Sequence, residues 1–274
     1  MKTAFKILPD SSSEPLQLLI EVGSEGVAFV YYHGSPIHIA GLFIYQYDQP
    51  ELTASFADDL KIFLQNEALP TFHGCSVCFN FKESSLVPNR YFKEDEKANV
   101  LDMLFGSNPN SHSFVQDVKG MQVKLVYRIS QDFLSVLKHT FPNAKYFHST
   151  PLQLSFLENK TDLLYTIIYQ QHVKLFLFKN NQVQLQQSFD YSTPSDVAYF
   201  LLNVCKQHHI AADSILVKLA GFIDHQSNLY DELYRYFKHI GFDDQNLEVS
   251  VATAIEQYPA HFFSHYFQLI ACVS

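Results

Sequence analysis

The stretch from Leu18 to Gly34 constrains the fold more than any other part of the chain. Leu18-Leu19-Ile20-Glu21-Val22 and Val27-Ala28-Phe29-Val30-Tyr31-Tyr32 are rich in β-branched and aromatic residues, and Gly23-Ser24-Glu25-Gly26 separates them. Gly34-Ser35-Pro36 opens a third run, Ile37 to Tyr47. Runs of this composition between Gly, Ser and Pro clusters predict a three-strand meander. A second meander starts near Leu163, with strands Leu163 to Tyr169, Val173 to Phe178 and Val183 to Phe189. Two copies in one chain imply a duplicated α/β architecture.

The elements after each meander follow the same order. Leu52 to Leu69 reads as an amphipathic helix, with Phe56, Leu60, Phe63 and Leu64 at helical spacing and Pro70 beyond its end. Ser76 to Phe81 reads as a strand. In the second copy Ser192-Thr193-Pro194 opens a helix, Thr193 suiting the cap and Pro194 the first turn, and Ile215 to Leu219 reads as a strand. The copies keep register: Val27 matches Val173, Tyr32 Phe178, Ile37 Val183 and Phe43 Phe189 at one offset, then Leu64 matches Leu202 and Val77 Ile215 at a second.

Each copy ends in helix, strand, helix. In the first these are Gln131 to Thr140, Lys145 to His148, and a helix started by Thr150-Pro151. In the second they are Leu229 to Ile240 closed by Gly241, Leu247 to Val251, and Pro259 to about Ala271. The first copy alone carries an insertion, residues 82–129: a strand near Leu86, a helix Glu94 to Phe105, and a hairpin of Phe114 to Val118 and Met121 to Arg128 turned at Lys119-Gly120. The halves are expected to span residues 1–158 and 159–274.

Composition narrows the function. With 47% hydrophobic and 17% charged residues the chain is globular, and its 25 phenylalanines and 16 tyrosines supply core volume in the absence of tryptophan. A net charge of -9 with no basic stripe argues against nucleic acid and against anionic membranes. No run reaches the roughly 18 apolar residues of a membrane span, and Met1 to Pro9 holds no long apolar signal region, so a cytoplasmic protein is expected. Four cysteines do not make a disulfide framework in a chain of this size.

Two copies of strand-strand-strand-helix-strand-helix-strand-helix resemble the superfamily of actins, sugar kinases and heat-shock-chaperone ATPases, the actin-like ATPase (ribonuclease H-like) fold. The insertion resembles that of bacterial actin-like proteins of cell division and type IV pilus assembly. Ser85-Leu86-Val87-Pro88 and Pro259-Ala260-His261-Phe262-Phe263 resemble an uncharacterised bacterial family of that kind. The resemblance implies two Asp-x-Gly-like phosphate loops and, when both work, ATP and magnesium as cofactors. Glu21-Val22-Gly23-Ser24 resembles the first loop, with Glu for Asp. At the second, Ile167, Tyr169 and Gln170 stand opposite Glu21, Gly23 and Ser24, so acid and glycine are both gone. Ala220-Gly221 alone matches the adenosine-binding glycine pair. Glu21, Gly23, Ser24 and Gly221 are therefore the candidate cofactor-binding residues, and no catalytic or metal-ligating residue is nominated.

Other chemistry has a plainer explanation. Cys75 and Cys78 form C-x-x-C on a strand, where residues three apart face opposite ways, so a buried thiol at Cys78 is expected rather than a zinc or redox pair. His261 and His265 share a helical spacing without a third ligand, and the 13 histidines form no tract. His208-His209 suits a helix C-terminus; Asp58-Asp59 and Glu94-Asp95-Glu96 suit helix starts. Tyr230, Tyr234 and Phe237 recur at core spacing. No G-x-S-x-G, P-loop or H-E-x-x-H occurs. The sequence thus points to a non-catalytic protein-binding scaffold with a degenerate nucleotide site and the insertion as partner surface. The rivals are an actin-like ATPase binding ATP and magnesium between its halves, and a self-assembling homo-oligomer. The protein partner is not specified.

Overall fold

A computed structural model describes residues 1–12, 14–47, 56–157, 162–244 and 249–274. The chain forms two compact units. The first comprises Met1–Ser155, Glu248–Gln257 and Leu269–Ser274; the second comprises Phe156–Leu247 and Tyr258–Gln268. The boundary expected between residues 158 and 159 lies outside the described residues, as do the first residues of the helix expected from Leu52 and of the strand expected from Leu247.

In the first unit β1 (Lys2–Ile7), β2 (Gln17–Gly23), β3 (Gly26–His33) and β4 (Ile37–Gln46) are followed by α1 (Phe56–Asn66) and β5 (Gly74–Asn80). The insertion contributes β6 (Ser84–Pro88), α2 (Lys97–Phe105), β7 (Ser111–Asp117) and β8 (Val123–Ser130). Then come α3 (Gln131–Thr140), β9 (Lys145–His148) and α4 (Ser149–Phe156). The main sheet runs β1-β4-β3-β2-β5-β9. β2 pairs antiparallel with β3 and parallel with β5, and Leu18, Leu19, Ile20 and Val22 are fully buried. A strand covered on both faces needs apolar residues at successive positions, and this run supplies them. Leu18, Ile20 and Val22 pack with Phe29, Phe43, Val77 and Phe79 beneath α1 (Phe56, Leu60) and α3 (Phe133, Leu134, Leu137). β1 is an edge strand with little burial, which is why composition did not single it out.

The insertion is a three-stranded antiparallel sheet, β6-β8-β7, with α2 against it. Leu125, Tyr127 and Ile129 of β8 belong to the main core, so the module is rooted in the unit. Arg128, 3% exposed, ties it together: Nε donates to Glu83 Oε2, and Nη1 donates to Asp102 Oδ1 (3.0 Å) and to the Gly106 carbonyl (2.8 Å) at the end of α2.

The second unit contains β10 (Leu163–Ile168), β11 (His172–Lys179), β12 (Gln182–Asp190), α5 (Pro194–Gln207), β13 (Leu216–Gly221), α6 (Asn228–Tyr234) and β14 (His239–Phe242). β15 (Val249–Val251) and α7 (Ser264–Val273) complete the chain. Its sheet runs β12-β11-β10-β13-β14, the same order and strand senses as β4-β3-β2-β5-β9. Thr193 caps α5 in a full capping box with Asp196.

Three expectations change. The helix expected over Leu229 to Ile240 stops at Tyr234. Beyond it His239–Phe242 is a strand in which Gly241 pairs with Lys218 and caps nothing. Sheet hydrogen bonds along β13 outweigh the helical spacing of Tyr230, Tyr234 and Phe237. β14 thereby takes the place expected for Leu247 to Val251, and β15 instead pairs parallel with β4 in the first unit. Finally, the register between the copies shifts at both later strands. Val27 pairs with Tyr45 while Val173 pairs with Phe189, so Phe189 corresponds to Tyr45 and not to Phe43. β2 pairs Ile20 with Val77 while β10 pairs Thr166 with Leu219, so Val77 corresponds to Leu219 and not to Ile215.

Arg128→Met removes charged hydrogen bonds worth about 2 kcal/mol in this setting. Hydrogen exchange should show α2 amides losing roughly 30-fold protection while β2 amides keep theirs. Equal loss in β2 would mean that Arg128 supports the whole unit.

Candidate functional site

In an open α/β sheet ligands collect at the carboxyl ends of the parallel strands. In the first unit these are the ends of β2, β5 and β9. Ser24 and Glu25 join β2 to β3, and the flanking glycines are set by packing: a Cβ on Gly23 would lie 2.7 Å from the Asn80 carbonyl oxygen, and one on Gly26 would lie 2.0 Å from that of Tyr45. Glu21, 5% exposed, stands between Ala28 and Cys78 on the neighbouring strands. The Ser24 hydroxyl oxygen is buried with no hydrogen-bond partner among the described residues.

Further polar groups gather at these strand ends. Ser149 Oγ donates to Asn80 Oδ1 (3.3 Å). The Thr150 amide donates to His148 Nδ1 (3.2 Å), which leaves the ring proton on Nε2 to meet the Phe81 carbonyl at 3.3 Å. Gln116 of β7 accepts from the His148 amide at 2.8 Å, linking the insertion to β9. Thr150 Oγ1 and both polar atoms of Gln153 on α4 are buried without partners among the described residues. Asn80, Ser149, Thr150 and Gln153 were missed in the sequence, where Thr150-Pro151 signals only a helix start. A buried polar helix face next to a strand end is visible only once the sheet is assembled.

The second unit's corresponding turn is built differently. The Tyr169 amide donates to the His172 carbonyl (2.9 Å), the Tyr191 amide to that of Gln171 (2.9 Å), and the Tyr191 hydroxyl to that of Tyr169 (2.8 Å). The Tyr169 ring stacks on His172 at 4.3 Å, and His265 meets it edge-on at 5.4 Å. The Tyr169 and Tyr191 amides are thus taken up by carbonyls beside the turn, whereas a phosphate cradle needs backbone amides turned toward the ligand.

The same unit buries Asp243 completely. Its Oδ2 accepts from the Tyr165 hydroxyl (2.6 Å) and from Gln268 Nε2 (2.7 Å), and Lys218 Nζ lies 3.9 Å from Oδ1. Burial first, then Asp243, pushes the Tyr165 phenol well above its ordinary pKa, so it stays a donor. His265 is fully buried with neither ring nitrogen hydrogen-bonded among the described residues. Burial, then Lys174 and His172, pull it down to about 3.

Gly221 has a backbone reason to be glycine. Its φ is 82°, and a Cβ would lie 2.2 Å from the Ile168 carbonyl oxygen, which also accepts from the Phe222 amide at 2.8 Å. His261 Nε2 meets the Ile223 carbonyl at 2.7 Å, so His261 and His265 serve different elements. Cys78 is buried in the core, and burial pushes the Cys75 thiol up to about 12, as inert thiols require. Asp58 and Asp59 are exposed in the first turn of α1. At the end of α5 burial lowers the His208 pKa, and Lys179 Nζ, 2.9 Å from the His208 carbonyl, supplies the cation instead.

The family described as a protein of unknown function (DUF3822) matches residues 9–240. The chain belongs to this family. No curated protein matches it in sequence. A Bacteroides thetaiotaomicron protein with an actin-like ATPase fold and unknown function superposes with a TM-score of 0.76 at 18% identity, over 95% of this chain and 97% of that one. A structure of the PilM–PilN type IV pilus biogenesis complex gives 0.59 at 14% identity over 95% and 97%. The ethanolamine utilization protein EutJ from Carboxydothermus hydrogenoformans gives 0.53 at 9% over 97% and 92%. This DUF3822 chain has the actin-like ATPase fold.

Two outcomes follow for the DUF3822 chain. Gly221→Ala should destabilise the second unit by about 2 kcal/mol or more, read as a lower urea midpoint. An unchanged midpoint would mean that the turn relaxes freely. His265, near 6.5 when unfolded and about 3 when folded, binds its proton first in the unfolded chain. Its stability contribution is intact above pH 6.5 and lost as pH falls toward 3. His265→Leu should therefore flatten the acid limb by about 2 kcal/mol between pH 7 and 4.5; parallel limbs would mean that His265 protonates in place.

Proposed function

We propose that the chain is a non-catalytic actin-like protein, two duplicated halves whose nucleotide site has degenerated, acting in the cytoplasm as a protein-binding scaffold. The observation that carries this reading is the second turn, where Tyr169, His172 and Tyr191 occupy the place of the second phosphate loop. Phosphoryl transfer depends on positioning and electrostatic grip from both sides, and one loop alone supplies neither in full. The ATPase reading has Glu21, Gly23 and the Ser24 hydroxyl, unpartnered among the described residues, in its favour. A working site would need a second donor of charge or amides that Ile167, Tyr169 and Gln170 do not supply.

The insertion is the best candidate partner surface. Tyr91, Met103 and Leu104 are 65%, 87% and 56% exposed, and large apolar side chains in solvent on one module favour contact with another protein. That a structural relative was solved within a PilM–PilN complex supports a binding role for this fold. Deleting residues 82–129 would remove Leu125, Tyr127 and Ile129 from the core and so confuse unfolding with lost binding. Met103→Glu with Leu104→Glu touches only exposed positions. Affinity purification from native cells should recover a stoichiometric protein with the unaltered chain and at least tenfold less with the double variant. Equal recovery would exclude this face, and recovery of the chain's own copies alone would favour the homo-oligomer.

A further inference from the structure

We propose that Asp10, His33 and His38 form a binding site for a divalent first-row transition ion, for which zinc is the probe, with Glu14 placed to complete the ligand set. His33 and His38 flank the tight turn at the far end of β3 from Ser24, and they are partners in the β3–β4 ladder. Their side chains therefore leave the same face, with ring centroids 5.0 Å apart. The Asp10 amide donates to the Ala40 carbonyl at 3.2 Å and holds that residue beside β4. Asp10 Oδ2 lies 2.8 Å from His38 Nε2, and Glu14 Oε2 lies 3.3 Å from His33 Nδ1. One ligand atom from each of Asp10, His33 and His38 falls within 4.8 Å of the others.

These spacings are close to what an ion demands. Zinc bonds of about 2.0–2.2 Å in a tetrahedron place neighbouring donors roughly 3.4 Å apart, so rotation about side-chain bonds suffices to close the set. The outer contact is present too: Ser250 Oγ lies 2.7 Å from His38 Nδ1, fixing the ring and leaving Nε2 as the ligand atom. Two neutral imidazoles and two carboxylates bring a charge of about -2, which a divalent ion offsets, and imidazole donors select zinc-like ions over magnesium or calcium. The imidazoles are 13% and 23% exposed and the carboxylates of Asp10 and Glu14 are 42% and 56% exposed, which leaves a path for the ion. Bound there, the ion would clamp the segment before β2 and the strand β15 onto the β3–β4 hairpin. The site is independent of nucleotide binding and of the insertion.

The test is calorimetric titration of the tag-free full chain, stripped with chelator, with zinc chloride and separately with magnesium chloride. One zinc per chain is expected with a micromolar or tighter Kd, and no magnesium binding at that site. His33→Ala, His38→Ala and the exposed Asp10→Asn should each weaken zinc at least tenfold, whereas His139→Ala on α3 should not. Cobalt should give a d–d absorption band that His38→Ala loses. Absence of a one-equivalent zinc isotherm, or zinc affinity untouched in the Asp10 and His33 variants, would overturn the assignment.

Discussion

Each unit depends on one strand that is buried on both faces and paired on both edges. In the first unit it is β2, with Leu18, Leu19, Ile20 and Val22 fully buried between β3 and β5; in the second it is β10, between β11 and β13. Each such aliphatic side chain contributes roughly 1.5–3 kcal/mol on burial, so neither strand can slip by one residue without exposing its core face to the wrong neighbours. The carboxyl end of each strand is fixed as a result. What the chain can bind there is decided by the few residues that close the following turn.

Those residues diverge between the units. After β2 the chain has Glu21, a tight glycine-flanked turn and a Ser24 hydroxyl without a hydrogen-bond partner among the described residues, with Asn80 and Ser149 at the neighbouring strand ends. After β10 the rings of Tyr169 and His172 stack and the Tyr191 hydroxyl takes up the Tyr169 carbonyl. That asymmetry is what supports the proposed scaffold over the ATPase reading.

The meanders, α3 and β9 were legible because period and punctuation agree there: Gly34-Ser35-Pro36 marks a turn, and the apolar runs on either side are long enough to be strands. The short strands were not. His239–Phe242 has four residues and continues the helical spacing of α6, and β15 has three and pairs with a strand more than 200 residues earlier in sequence. No local signal carries a partner at that distance. The register offsets failed from β4 and β12 onward because the connections between strands differ in length between the copies without a matching change in composition. At the candidate site Glu21, Gly23 and Ser24 could be named from a loop pattern. Thr150 and Gln153 depend on which helix face is buried. His33 and His38, five apart, acquire meaning only through hairpin register, which turns a scatter of histidines into a pair.

The most direct measurement is calorimetric titration of the purified chain with ATP and magnesium, alongside Glu21→Ala. A scaffold with a degenerate site gives no saturable heat up to millimolar nucleotide, in either form. Saturable binding by the unaltered chain that weakens at least tenfold in Glu21→Ala would place a working nucleotide site at the first turn and contradict the scaffold reading.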